Sequence, residues 1–222
     1  MTTIEYNTIN KNFFSLENYM LNIITIIGAD HPNSTNHKLA VYLSNRFKNQ
    51  ASFTFFDIEK LPQFSKDQLE EKNNEVDAFR QLILEADAVL FVTPEYDHSV
   101  PAQLLNALEW LAFEPFPLLE KPTMILGASY GNLGTSRAQD HLLDVLRAPQ
   151  LQAAVQSDGG FLLSRSLEAF DENNELLNSQ VREKLDEKMS HFLLFVNVSK
   201  QNPDLRLKTI NKVRTYRYQS EK

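Results

Sequence analysis

The chain reads as an α/β protein: a doubly wound, five-stranded parallel sheet in the order 2-1-3-4-5, with helices on both faces. Three observations predict it. Short apolar runs alternate with amphipathic helical stretches from about residue 21 to residue 198, the pattern of strands joined by crossover helices. None of the six glycines falls inside a predicted helix, and Gly28, Gly127, Gly131 and Gly134 fall on predicted strand-to-helix loops. A residue without Cβ suits a positive φ or a close approach to a ligand there. Finally, polar loops over residues 94–99 and 127–137 follow consecutive strands, and an open parallel sheet binds ligands just outside the carboxyl ends of its strands.

Residues 1–20 carry no clear period and read as an N-terminal arm. Residues 21–27 form the first strand, ended by Gly28. Asn33 or Ser34 caps a helix to about Phe47, with Leu39, Leu43 and Phe47 on its buried face. The Phe-rich residues 52–57 are the second strand. A loop containing Pro62 follows, then a helix ending near Glu85. Residues 88–93 and 121–128 are the third and fourth strands, and the helix between them starts at Pro101, whose fixed φ suits a first turn. A helix over 134–147, short strand candidates at 151–155 and 160–163, and a last helix to about Val198 complete one domain, residues 21–198. No internal repeat interrupts it. Residues 199–222 form a basic tail.

Composition narrows the function classes. A hydrophobic content of 42% with 23% charged residues is globular,, and 222 residues suffice for one well-buried core,. No apolar run is long enough to span a membrane, and none has the flanks of a secretion signal. Cysteine is absent, which removes disulfides, thiolate metal sites and cysteine nucleophiles and fits a reducing cytoplasm. The net charge of −7 hides an asymmetry: the tail carries +5, leaving −12 for the rest. Such a body is a poor nucleic-acid binder. The tail is expected to dock on the acidic body or on a neighbouring subunit, or to be disordered.

The first loop, residues 28–40, places Ser34, Thr35 and Asn36 at a helix start, an arrangement suited to a phosphate. A plain helix cap at Ser34 explains the same residues. The chain lacks both a P-loop and a G-x-G-x-x-G fingerprint, so a phosphate held here suits a bound cofactor better than phosphoryl transfer. Glu95 and Asp97 are a candidate acid/base pair, with Asp97 as a cap before Pro101 the competing reading. His98 reads as loop-exposed rather than catalytic. His31 and His37 with Asp30 suggest a metal only weakly, since no matching spacing recurs elsewhere. Trp110 reads as core. Arg137 either contacts a nicotinamide phosphate or pairs with Asp140 or Asp144 on its own helix.

Together these segments carry a resemblance. TPEYDHSVPAQLLNALEWL resembles the TPEYNHSVPG-x-LKNALDWL signature of the NADPH-dependent FMN reductase family, flavodoxin-like quinone, chromate and azo reductases. KPTMILGASYGNLGTSRAQDHLLDVL is similar to that family's block running from KP through GAS-x-G to RAQ, and AFDENNELLNSQVREKL to its closing segment. The likeness covers about residues 22–198. It implies a flavodoxin-like fold, FMN as cofactor and NADPH or NADH as hydride donor. It also implies a phosphate site at Ser34 and Asn36, a ring and ribityl wall at Pro94, Glu95 and Tyr96, and a loop at Ser129, Tyr130 and Gly131 that meets the pyrimidine edge. Donors near that edge would stabilise reduced flavin.

The sequence departs from the pattern at four places. Ala29 and His31 stand where the family has Ser and Arg, Asp97 replaces Asn, and Ala102 replaces Gly. Losing a guanidinium weakens a phosphate site unless a protonated His31 compensates, and the Asp97 carboxylate is expected to oppose an anionic cofactor. Gly131 is expected where backbone closely approaches the ring. The function implied is ping-pong hydride transfer from NADPH or NADH through FMN to a small-molecule acceptor: a quinone, an azo- or nitro-aromatic, free flavin or a metal oxyanion. A flavodoxin-like electron carrier and a non-enzymatic protein with weakened FMN binding are the alternatives on the same fold. A surplus of apolar helix surface over residues 104–116 and 133–146 points, with the family, to a homodimer or homotetramer.

Overall fold

The computed structural model describes residues 20–220 apart from positions 29, 30, 32, 70 and 202. The expected N-terminal arm, Met20 excepted, and Ala29 and Asp30 of the first loop lie outside the described residues. The strands are β1 (Leu21–Ile27), β2 (Ala51–Phe56), β3 (Ala88–Val92), β4 (Pro122–Ala128), β5 (Ala154–Val155) and β6 (Phe161–Leu163). The helices are α1 (Thr35–Arg46), α2 (Asn74–Glu85), α3 (Ala102–Leu111), α4 (Ser136–Leu146), α5 (Ser179–Lys200) and α6 (Pro203–Ser220).

The sheet is parallel throughout, in the order β2-β1-β3-β4-β5, with β6 also paired to β4. The predicted fifth strand is thus in two pieces on one edge. β5 pairs with Pro122 and Thr123 at the start of β4, and β6 pairs with residues 126–128 at its end. Between them, Gly160 lies so close to Gln139 that an added Cβ would come within 1.9 Å of its Oε1.

Side chains of each strand alternate between two cores, as a period of two requires. Ile23, Leu90, Met124 and Leu126 face α1 and α5, packing with Leu39, Leu43, Met189 and Phe192. Ile24, Ile26, Phe91 and Ile125 face α2, α3 and α4, packing with Phe79, Ile83, Leu104, Leu108 and Leu142. With both faces covered, the strands read as continuous apolar runs. α1 starts where predicted: the Ser34 Oγ accepts the Asn36 N–H at 3.2 Å. Pro101 occupies the position just before α3 rather than inside it.

Two expectations change, and one of the readings open for the tail is selected. Gly127 lies within β4 rather than on a loop; an added Cβ would meet the Thr135 Oγ1 at 1.8 Å, so glycine here admits the start of α4 against the strand. The apolar surplus of α3 is covered within the chain. Trp110 is 2% exposed, donates through Nε1 to the Pro62 carbonyl at 2.9 Å and meets Phe64 edge-on. The basic tail forms α6 and docks on its own chain, where Val213 and Ile210 pack with Phe116 and Leu119. Arg214 pairs with Glu114 and the Thr209 hydroxyl donates to Glu120. Exposed pairs like the first contribute little, so apolar contact carries the docking.

Candidate active site

At the carboxyl edge of the sheet, the loops after β1, β3 and β4 enclose a cavity of about 550 Å³. The loop after β1 and the first turn of α1 supply His31, Asn33, Ser34, Thr35 and Asn36. The loop after β3 supplies Pro94, Glu95 and Tyr96, and the end of β4 supplies Ala128, Ser129 and Tyr130. Glu59 and Gln103 close the remaining side. Eight of the ten residues singled out for the cofactor from the sequence are therefore brought together. Asp97 and Gly131 are not.

The wall at α1 is anchored from below. The Asn36 side chain donates to the Ala128 carbonyl at 2.9 Å and accepts the Ala128 N–H at 2.8 Å, both buried. Its side chain thus clamps the end of β4 while standing in the cavity lining. The Thr35 and Ser166 hydroxyls bond at 2.8 Å. Above them the rim is local. The Ser34 N–H donates to the His31 carbonyl at 2.7 Å, and the Asn33 N–H donates to the His31 Nδ1 at 3.2 Å, which requires that nitrogen unprotonated. The Ser34 hydroxyl accepts from Asn36 and keeps its own proton to donate.

The opposite wall is laced across its surface. Tyr96 and Ser99 exchange backbone bonds of 3.1 and 2.9 Å, with Asp97 and His98 between them at φ 48° and 63°. That is a two-residue turn needing left-handed backbone twice, where Asn or Asp at the first position is favoured. Asp97 therefore shapes a turn tip. It neither lines the cavity nor caps α3, which has no side-chain cap. It forms no acid/base pair with Glu95, whose carboxylate has another task. The Glu95 Oε2 accepts the N–H groups of Arg137 and Ala138 at 3.1 and 3.3 Å, capping α4 from a different loop because Thr135, at φ 72°, offers no cap.

Around this cap, Arg137 Nη1 stands 3.5 Å from Glu95 and donates to the His98 Nδ1 at 2.7 Å. Arg137 thus pairs across the loops, not with Asp140 or Asp144. Ser99 reaches the His141 Nδ1 at 2.7 Å. Burial pushes the Glu95 carboxyl up, but the Ala138 N–H, the Arg137 N–H and the Arg137 charge outweigh it and hold the group below the ordinary glutamate range,.

The loop after β4 is held by the segment after β6. Ser129 N–H donates to the Leu163 carbonyl, Ser166 N–H to that of Ser129, and Arg165 N–H to that of Gly131 at 2.9 Å. The carbonyl of Gly131 is therefore turned to Arg165. A Cβ built on Gly131 would meet nothing within 4 Å, so no protein packing demands glycine there. Tyr96 and Tyr130, 56% and 63% exposed, stand on the loops after β3 and β4, a setting for a planar ring. No group of three or more metal-ligating side chains occurs among the described residues. Sequence reading passed over Glu59 and Gln103. Only their places were legible: Glu59 just beyond the carboxyl end of β2, and Gln103 in the first turn of α3.

Comparison with known proteins fits this architecture. The model of the NADPH-dependent FMN reductase family matches residues 21–168. The chain is 37% identical, over 80% of its length and 88% of the relative's, to the NADH:(hydroxy)cinnamate reductase subunit CrdA of Vibrio ruber. It is 33% identical, over 79% and 97%, to the NADH-dependent flavin reductase subunit 2 of Lactobacillus johnsonii. The solved structure of FerB, an NAD(P)H:(acceptor) oxidoreductase from Paracoccus denitrificans, shares the fold with a TM-score of 0.75 at 23% identity, over 81% and 99%. The chain belongs to the NADPH-dependent FMN reductase family, oxidoreductases with a flavodoxin-like fold that work with FMN and NAD(P)H.

Proposed function

We propose that this protein carries reducing equivalents from a nicotinamide nucleotide through FMN to a small-molecule acceptor by a ping-pong route, donor and acceptor using one place in turn. The observation that supports this best is the cavity between the three loops. It joins a helix start bearing a hydroxyl donor, Ser34, to an open mouth flanked by the exposed rings of Tyr96 and Tyr130.

The residues present fit FMN. Ser34 and the first turn of α1 would take the phosphate, aided by the positive end of the helix. Pro94, Glu95 and Tyr96 would line one side, and Ser129 and Tyr130 the other. When bound, FMN supplies the hydride chemistry. The protein orients it, and by leaving the mouth wide it admits flat acceptors: quinones, azo- and nitro-aromatics or free flavin, with metal oxyanions a smaller case. Glu95 acts by fixing the loops after β3 and β4 relative to each other and takes no proton from substrate.

We assign the reaction to the cytoplasm on the absence of cysteine,. We assign a homodimer or homotetramer on the exposed Leu133, Leu162 and Leu167; a monomer in sedimentation at micromolar concentration would overturn that assignment. The function is tested by the visible spectrum of FMN-loaded protein. Anaerobic bleaching by a reduced nicotinamide nucleotide, with colour restored by a quinone and parallel double-reciprocal plots, is expected. Yellow protein bleached by neither nucleotide would refute it.

A further inference from the structure

The flavin cavity continues in one direction. Beyond Glu59 and Gln103, which line it, the same two residues line a second cavity of about 400 Å³. Its floor is apolar, formed by Ile58 and Leu61, both buried. Its rim is polar, with Gln63 and Asn106. The outer wall is fixed rather than loose. The Asn106 side chain accepts the Phe64 N–H at 2.7 Å and donates to the Pro62 carbonyl at 3.0 Å, a carbonyl that also receives the Trp110 indole N–H.

The charge of this paired groove is one-sided. Among the described residues, its lining includes the carboxylates of Glu59 and Glu95 and no lysine or arginine. Arg137, at the far rim, is held by Glu95 and His98. Glu59 stands at the junction, its N–H fixed by the Asp57 carboxylate at 3.0 Å. An apolar floor suits the face of a purine. A carboxylate beside it suits a ribose diol, to which it accepts hydrogen bonds, and repels a 2′-phosphate, which needs a cation.

We propose that the second cavity receives the adenosine half of the hydride donor and that Glu59, at its junction with the flavin cavity, selects NADH over NADPH. This rests on the reductase function proposed above. Discrimination then comes from binding: the 2′-phosphate brings further negative charge against the Glu59 carboxylate, in a lining that among the described residues holds no lysine or arginine. The reacting end of the nucleotide is the same in both donors, so the preference should appear in KM more than in kcat.

The test uses FMN-loaded protein with two readouts. Steady-state reduction of a quinone by NADH and by NADPH gives the ratio of kcat/KM values for the native chain, Glu59→Gln and Glu59→Arg at equal flavin load. Calorimetry with ADP-ribose and 2′-phospho-ADP-ribose reads the same choice without turnover. The native chain is expected to favour NADH, Glu59→Gln to narrow the ratio by about tenfold, and Glu59→Arg to reverse it, chiefly through KM. The two ADP-ribose ligands should follow the same order. A native preference for NADPH, or one ratio shared by all three proteins, would overturn the proposal. If neither nucleotide bleaches the flavin but ADP-ribose still binds better than its 2′-phosphate and Glu59→Gln erases the difference, the reductase function fails and the selector stands. Equal binding of the two ligands by the native chain would overturn the selector.

Discussion

The two walls of the cavity at the carboxyl edge of the sheet are held by different physics. The wall at α1 is anchored by a buried side-chain clamp, Asn36 to both backbone groups of Ala128, with Thr35 bonded to Ser166 beside it. The wall made by the loops after β3 and β4 is held near the surface, by Glu95 capping α4, by Arg137 and His98, and by Ser99 on His141. Away from water a hydrogen bond is strong and leaving it unmade is costly. Near water each contact competes with solvent, and charge contacts also with salt and protons. The first wall should therefore behave as part of the fold, and the second as an adjustable part of the site.

Breaking the buried clamp should have the largest effect. Asn36→Ala leaves the N–H and carbonyl of Ala128 without partners and is expected to cost about 3 kcal/mol of stability by chemical denaturation. A loss below about 1 kcal/mol would show that this wall is no more buried in its energetics than the other.

Glu95→Ala comes next, at about 1–2 kcal/mol, since it removes the side-chain cap on α4 and the tie between two loops. FMN titration should show weaker binding as well. The same residue sets a pH dependence. Its folded-state carboxyl lies below the unfolded value, so its contribution is complete above the ordinary glutamate range and is lost as pH falls through the lower, folded value. Stability against pH for the native chain and Glu95→Gln should differ by a constant at neutral pH and converge in acid. Curves that stay parallel into acid would contradict the cap.

Arg137→Ala tests the outermost part of the laced wall. Its side chain is 50% exposed, so the loss should be near 0.5 kcal/mol at low salt and fade at high salt. A larger, salt-independent loss would place Arg137 among the buried anchors.

The smallest effect is expected at Asp97. The sequence pattern alone suggests that Asp97→Asn would tighten FMN by removing a charge, but the residue sits on a turn tip away from the cavity. Its replacement should shift FMN affinity less than about twofold and stabilise the turn by a few tenths of a kcal/mol, because Asn tolerates left-handed backbone well. A clear gain in FMN affinity would return Asp97 to the site.

The strand order, the helix starts and eight of the ten residues singled out for the cofactor were legible because they depend on local pattern: continuous apolar runs for strands buried on both faces, a serine at a helix start, polar loops after strands. Glu59 and Gln103 were not, since nothing local marks a glutamate after β2 as facing the same space as Ser34. The tail shows the same limit from the other side. Its basic composition suggested electrostatic docking, whereas Val213 and Ile210 meet Phe116 and Leu119, an apolar match between segments about a hundred residues apart in the chain.

By itself the sequence determined the family, the alternation of strands and helices, and which loops lie at the carboxyl edge, since each follows from spacing along the chain. Only the tertiary structure decided how the conspicuous polar residues are used: Asn36 as a clamp, Glu95 as a cap on a distant helix, Asp97 as a turn former. A polar side chain can satisfy its hydrogen bonds with ligand, solvent or backbone, and which of these it does depends on what lies across from it in space.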